Sequence, residues 1–178
     1  MATPDLKEAF SATIQHYLTS LDHYTDEQFA AKPDENEWSL GQIYEHLYTG
    51  TTYFFLANVK RCLEKRKGQE GGEMNDNGRN IFKYNGFPPI KVKIPEALRG
   101  PEPEARPRNT YQVLLQETLK SGQLLADAIQ EDDGLYKTQN PTFGWLNAEE
   151  WLRVGEMHAR HHLRQQKERE EWLGITSR

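Results

Sequence analysis

Apolar residues recur at three- and four-residue steps in four separate stretches of this chain, and that pattern leaves few folds open. The first stretch runs from about Pro4 to His23, with Leu6, Phe10, Ile14, Tyr17 and Leu21 on one stripe. Thr3 is placed to cap it, and Pro4 suits the first helical position because no N–H is needed there. A short helical turn is expected at Asp26 to Ala31. The second stretch opens on Ser39 with Gln42 three residues on, a pairing in which each side chain satisfies a backbone N–H of the other. Its expected inward face is Ile43, Leu47, Gly50, Phe54 and Ala57, and it ends near Lys67, before Gly68. The third runs from Asn109, paired with Gln112, to about Gln130, and carries Leu114, Leu115, Leu119, Leu124, Leu125 and Ile129. The fourth opens on Asn147 with Glu150 and runs to about Trp172, with Gly174 as a stop.

Four amphipathic helices in 178 residues predict an all-α four-helix bundle, one domain over residues 1–178. About forty residues rich in Gly, Pro and Asn separate the second and third stretches, far more than a compact turn needs. A connection that long can cross the bundle and leave those two helices parallel. Within it, Ile90 to Ile94 alternates as a strand or extended strap would, but its isolation argues against a sheet.

The net charge is −5 and the basic residues are scattered, which disfavours nucleic-acid binding. No apolar run is long enough to span a bilayer, and the N-terminus lacks the pattern of a secretory signal. Cys62 is the one cysteine, so an intrachain disulfide and a cysteine-rich metal knuckle are both excluded. The expectation is a cytoplasmic protein. Six histidines beside one cysteine mean that any metal would take nitrogen and oxygen ligands.

The fourth stretch holds the informative residues. Trp151, Val154, His158, His162, Gln165 and Trp172 share one helix face, and the apolar members turn that face inward. Two imidazoles in a packed seam need partners, because an unmet buried polar group costs about 1–3 kcal/mol. A divalent metal answers both, since rings one helical turn apart can reach a common point. His46 lies beside Ile43 and Leu47 and is the best third ligand, whereas His16 falls on the polar side of the first helix and His23 at its end. His161 is off-phase by one residue and belongs at the edge of the site or in solvent. Three neutral imidazoles leave coordination positions open, as in catalytic sites. Trp38, Tyr48, Tyr53, Phe143 and Trp145 lie near these segments and are candidates to line a pocket, although such rings more often fill a core. Cys62 reads as packing, and the run Arg160, Arg164, Lys167 and Arg169 as a solvated helix face.

Two segments carry a family resemblance. Glu37 to Gly50, EWSLGQIYEHLYTG, resembles the first signature of the DinB/YfiT-like superfamily, in which a Trp-Ser pair opens a helix bearing a metal-binding histidine. Phe143 to Gln166 resembles its second, H-x-x-x-H-x-x-Q near the C-terminus. The resemblance implies an up-down-down-up four-helix bundle, one divalent metal, zinc or nickel, and a homodimer. By position it implies His46, His158 and His162 as ligands, with Gln165 either supporting a ligand or touching substrate. Relatives include transferases of low-molecular-weight thiols and metal-dependent hydrolases. The expectation is therefore a metal-dependent enzyme acting on a small molecule by thiol transfer or hydrolysis. Two alternatives are a non-catalytic metal-binding or stress-associated bundle, and a metal-free bundle whose histidines only pack.

Overall fold

The computed structural model describes residues 3–88 and 102–175, with only the backbone of residues 3–5. In order, the elements are α1 (Thr3–Leu21), α2 (Asp26–Ala30), α3 (Leu40–Thr49), a π-helical segment (Gly50–Leu56), α4 (Ala57–Leu63), β1 (Gln69–Glu70), α5 (Asp76–Tyr84), α6 (Thr110–Ile129), β2 (Tyr136–Asn140), β3 (Gly144–Leu146) and α7 (Ala148–Trp172). Four long helical elements make the bundle: α1, the α3–π–α4 rod, α6 and α7.

Contacts between side chains fix their directions. Thr13 meets Glu156 and Tyr17 meets Ala159, so α1 and α7 run parallel. Lys7 pairs with Asp127 and Ser11 with Gln123, so α6 runs against α1. Glu37 pairs with Arg169, His46 faces His158, and Phe54 packs on Trp151, so the α3–π–α4 rod runs against α7. The order is up, down, down, up, and the second and third bundle helices are parallel, which the long connection between them allows.

Burial of apolar and aromatic surface holds the bundle closed. Leu6, Phe10, Ile14, Tyr17 and Leu21 of α1 are all buried, as their spacing requires. A Cβ on Gly122 would overlap the Phe10 ring, so this glycine lets α1 and α6 close on each other. Tyr44 sits centrally, its ring 5.4 Å from Tyr17 and 5.3 Å from Phe29. The capping boxes at Ser39 and Asn147 both form, fixing where the two histidine-bearing helices begin.

Several local expectations are corrected. The second stretch is not one regular helix. The π-helical turns are wider and admit an extra residue, so the inward face slips by one. Phe55 is buried where Phe54 was expected, and Phe54 is 39% exposed. That rod ends at Leu63, short of Lys67. Asn109 does not cap α6: it is already helical, at φ −63° and ψ −22°, and a turn from Pro107 leads into the helix instead. On α6 the buried face includes Tyr111, Thr118, Gly122 and Ala126, while Leu124 is 61% exposed. Arg169 is not on a solvated face: it is buried and pairs with Glu37 at 2.6 Å.

A small antiparallel sheet, ordered β1-β2-β3, also went unforeseen. The strand Tyr136–Asn140 is mostly polar and Gly144–Leu146 has only three residues, so neither shows apolar alternation. Asn140 Oδ1 accepts from the backbone N–H groups of Thr142 and Phe143 and makes the turn between them. The long connection also holds α5. The Ile90–Ile94 stretch lies outside the described residues. Among the described residues no helix is long and apolar enough to cross a membrane.

Candidate metal centre

His46 projects from α3, and His158 and His162 from successive turns of α7. Two features bring these elements close. The Glu37–Arg169 pair ties the loop before α3 to the end of α7. A Cβ on Gly155 would stand 3.0 Å from Phe55 Cβ, so glycine there lets α7 approach the π-helical segment one turn before His158.

The three rings converge through their Nε2 atoms. His158 Nε2 lies 3.2 Å from His46 Nε2 and 3.1 Å from His162 Nε2. Two nitrogens at about 2.0–2.1 Å from one ion and roughly 100° apart would be separated by about the same distance. The candidate ligand atoms all lie within 4.8 Å of one another, and among the described residues no carboxylate or thiol joins them. Glu45 and Glu156, the nearest acidic residues in sequence, are engaged elsewhere. Glu45 accepts from Tyr111 Oη at 2.7 Å and pairs with Arg106 at 3.2 Å. Glu156 accepts from Arg160 Nε at 2.8 Å and from Thr13 Oγ1 at 3.2 Å.

Protonation favours ligation. Burial holds the His46 imidazole below its usual 6.5. Burial, then the neighbouring rings of His162, His46 and His161, hold His158 well below it. His162 is pushed down to about 3, by burial first and by His46 next, with Gln165 opposing. All three are therefore neutral near pH 7 and carry a lone pair a metal can use. His162 Nδ1–H donates to Gln165 Oε1 at 2.5 Å, which puts the proton on Nδ1 and leaves Nε2 bare. Among the described residues His158 Nδ1 is buried without a partner, so His158 has no comparable support there. These residues fit a divalent metal of nitrogen preference.

The remaining sequence candidates are distributed unevenly. Trp38 packs on the site, its ring 5.1 Å from His46. His161 sits at the edge, half-buried, 5.5 Å from the His162 ring, and burial and then Arg164 lower its pKa. Trp145 lies on β3 over Gly72. Tyr48 and Tyr53 join hydroxyls at 2.8 Å, and Phe143 packs on Phe87. His16 and His23 are exposed, and Cys62 is buried against Thr138 and Leu146.

Sequence reasoning missed Phe55, whose ring is 5.0 Å from His158, and Phe87, 5.7 Å from His161. Phe55 was hidden by the π-helical slip, and Phe87 stands in a connection without periodicity. It also missed the far wall of the open cleft that His46 lines, a space of about 600 Å³ bordered by residues 102–106. Gln42 anchors that wall by donating to Pro103 O at 3.2 Å.

Comparison with known proteins agrees with the architecture. YfiT from Bacillus subtilis, described as a probable metal-dependent hydrolase with an unusual four-helix bundle topology, superposes with a TM-score of 0.63. The match covers 98% of this chain and 89% of that one at 14% identity, a likeness of fold. No curated protein matches the sequence. The family model for the DinB superfamily matches residues 9–166, a span that includes all three histidines. The chain belongs to the DinB superfamily.

Proposed function

We propose that this chain is a metal-dependent enzyme that holds one divalent ion on His46, His158 and His162 and acts on a small molecule. One observation carries the reading: three neutral imidazoles aim Nε2 at one point, with no fourth His, Cys, Asp or Glu joining them among the described residues. A structural zinc site would more often be closed by a fourth side chain. Bound there, such an ion would supply Lewis acidity, lowering the pKa of a water or thiol at its open position.

The protein's own contribution is positioning and exclusion. Gln165 fixes the His162 tautomer through its amide oxygen. Trp38, Phe55 and Phe87 pack on the imidazoles and limit water around them. The cleft beside His46 admits the reacting molecule. The nucleophile is water in a hydrolase and a low-molecular-weight thiol in a transferase. The likeness to YfiT supports hydrolysis, and the same open position would serve a thiol.

Elemental analysis of protein prepared without a histidine tag tests the metal. About one equivalent of zinc or nickel is expected, lost when His46 and His158 are both replaced. Protein that takes up no metal, or a double variant that keeps it, would end the reading. Ester substrates, and glutathione, bacillithiol or mycothiol with monochlorobimane, then separate hydrolysis from thiol transfer.

A further inference from the structure

We infer that Arg106 recognises a carboxylate on the molecule that enters the cleft beside His46. The inference rests on the reading of that cleft as a substrate site. The cleft is about 600 Å³ and is lined by His46, Glu45, Thr49, Glu102, Glu104 and Arg106, among others. That size lies within the range of about 300–1,000 Å³ common to small-molecule sites.

The Arg106 guanidinium is held in place from two sides. Glu45 accepts from it through both carboxylate oxygens, Nε at 3.2 Å from Oε2 and Nη2 at 3.3 Å from Oε1. Tyr48 lies against it, its ring centroid 5.2 Å from Cζ. Glu45 is itself buried and fixed by the Tyr111 hydroxyl, which also accepts the Arg106 backbone N–H at 3.0 Å. The guanidinium is therefore oriented before any ligand arrives, so little side-chain freedom is lost on binding. Its Nη1 group makes no hydrogen bond among the described residues, and the side chain is 42% exposed. The occupied edge faces Glu45, and no described residue accepts from the Nη1 donors.

Charge selects the kind of anion. Glu102 is engaged by Lys32 at 3.7 Å and Gln42 at 3.4 Å, and Glu104 is exposed on the same wall. Three carboxylates, Glu45, Glu102 and Glu104, line the cleft and oppose a doubly charged phosphate more than a singly charged acid. A single planar carboxylate carries less charge into that field and matches the flat donor edge that Arg106 keeps. The substrate class is thus a small carboxylate whose reacting group lies toward His46 while its acid group lies on Arg106.

Titration of the metal-free, full-length, ¹⁵N-labelled protein with succinate tests this without metal–carboxylate binding. Succinate should produce saturable shifts of the Arg106 Nε–H and of the amides of Glu104 to Arg106, whereas succinamide should not. Arg106→Gln should weaken succinate by about tenfold or more, and Arg106→Lys should weaken it less. Equal shifts from succinamide, an unchanged titration in Arg106→Gln, or tighter binding of inorganic phosphate would overturn the inference. If Arg106→Gln fails to fold, the comparison of probes on the unaltered protein and on Arg106→Lys decides. Calorimetry with zinc is run alongside, and the arginine variants should bind it as the unaltered protein does. A chain that takes up no zinc but still discriminates succinate from succinamide would sink the metal reading and leave the carboxylate site standing.

Discussion

Helix α7 carries two buried polar clusters one turn apart, and they resolve their polarity in opposite ways. At His158 and His162, ring nitrogens face ring nitrogens, and His46 adds a third. Neutral imidazoles have one proton each, and Gln165 holds that of His162 on the far side of the ring. The protein alone cannot place one proton in each of the two Nε2–Nε2 contacts. At Gln166 and Glu170 the groups answer one another. Gln166 Nε2 donates to Tyr24 Oη at 2.8 Å and to Glu170 Oε1 at 3.0 Å, and the Tyr24 hydroxyl donates to Glu170. Among the described residues of this cluster, Gln166 Oε1 alone is left over. Burial of polar side chains is common to both, so burial does not mark the site. Unmatched lone pairs on convergent rings mark it, because they call for a cation.

The sharpest break in that comparison is removal of a ligand. His162→Ala should weaken zinc or nickel binding by more than about a thousandfold, measured by competition with a chromophoric chelator. The same substitution should leave the Tyr24–Gln166–Glu170 cluster able to fold. A variant that kept full affinity would show that the rings only pack.

Acid should separate the clusters next. An imidazole whose folded pKa lies below 6.5 refuses protons that the unfolded chain accepts. Stability of the metal-free protein is therefore full above about pH 7 and falls as pH drops below 6.5. For His162 the loss continues until pH reaches its folded value of about 3. The slope is about 1.4 kcal/mol per pH unit for each ring that stays neutral. Urea midpoints of metal-free protein between pH 7 and 5 measure it. Replacing His158 and His162 with Gln should flatten that slope, and an unchanged slope would place the acid sensitivity elsewhere.

The unequal legibility of the two clusters has a physical cause. His158 and His162 stand one turn apart on a regular helix with a clean capping box, so their common face could be read directly. His46 was equally accessible because α3 is regular from Ser39 to Thr49. Beyond Gly50 the π-helical turns break the period, and the face predicted from Phe54 falls to Phe55. Glu45, Arg106 and Tyr111 come together from a helix, a loop and another helix, a meeting that no local spacing encodes. The Tyr24–Glu170 contact likewise joins residues 146 positions apart. Periodicity finds residues that share an element, and it is blind to polar pairs that only tertiary packing creates.

A smaller effect tests the satisfied cluster. Tyr24→Phe removes a hydroxyl that both donates and accepts in a buried setting. Gln166 keeps its bond to Glu170, so the cost should be about 1–2 kcal/mol of stability, read from urea unfolding at pH 7. Metal affinity should not change. A parallel loss of metal would mean that the two clusters act as one unit.

The smallest expected effect concerns His161, which sequence phasing put off the seam. Its ring is 5.5 Å from that of His162 and 5.7 Å from that of Phe87, and it is not in the convergent group. Adjacent helical positions project about 100° apart, so His161 cannot aim at the point that His158 and His162 share without rotating the helix. His161→Ala should therefore change zinc affinity by less than about tenfold, the lower end of what supporting residues around a metal contribute. Chelator competition on His161→Ala and His162→Ala, measured side by side, gives the ratio. Equal losses would put a third α7 ring into the coordination sphere, and the three-nitrogen site with open positions would have to be redrawn as a closed one.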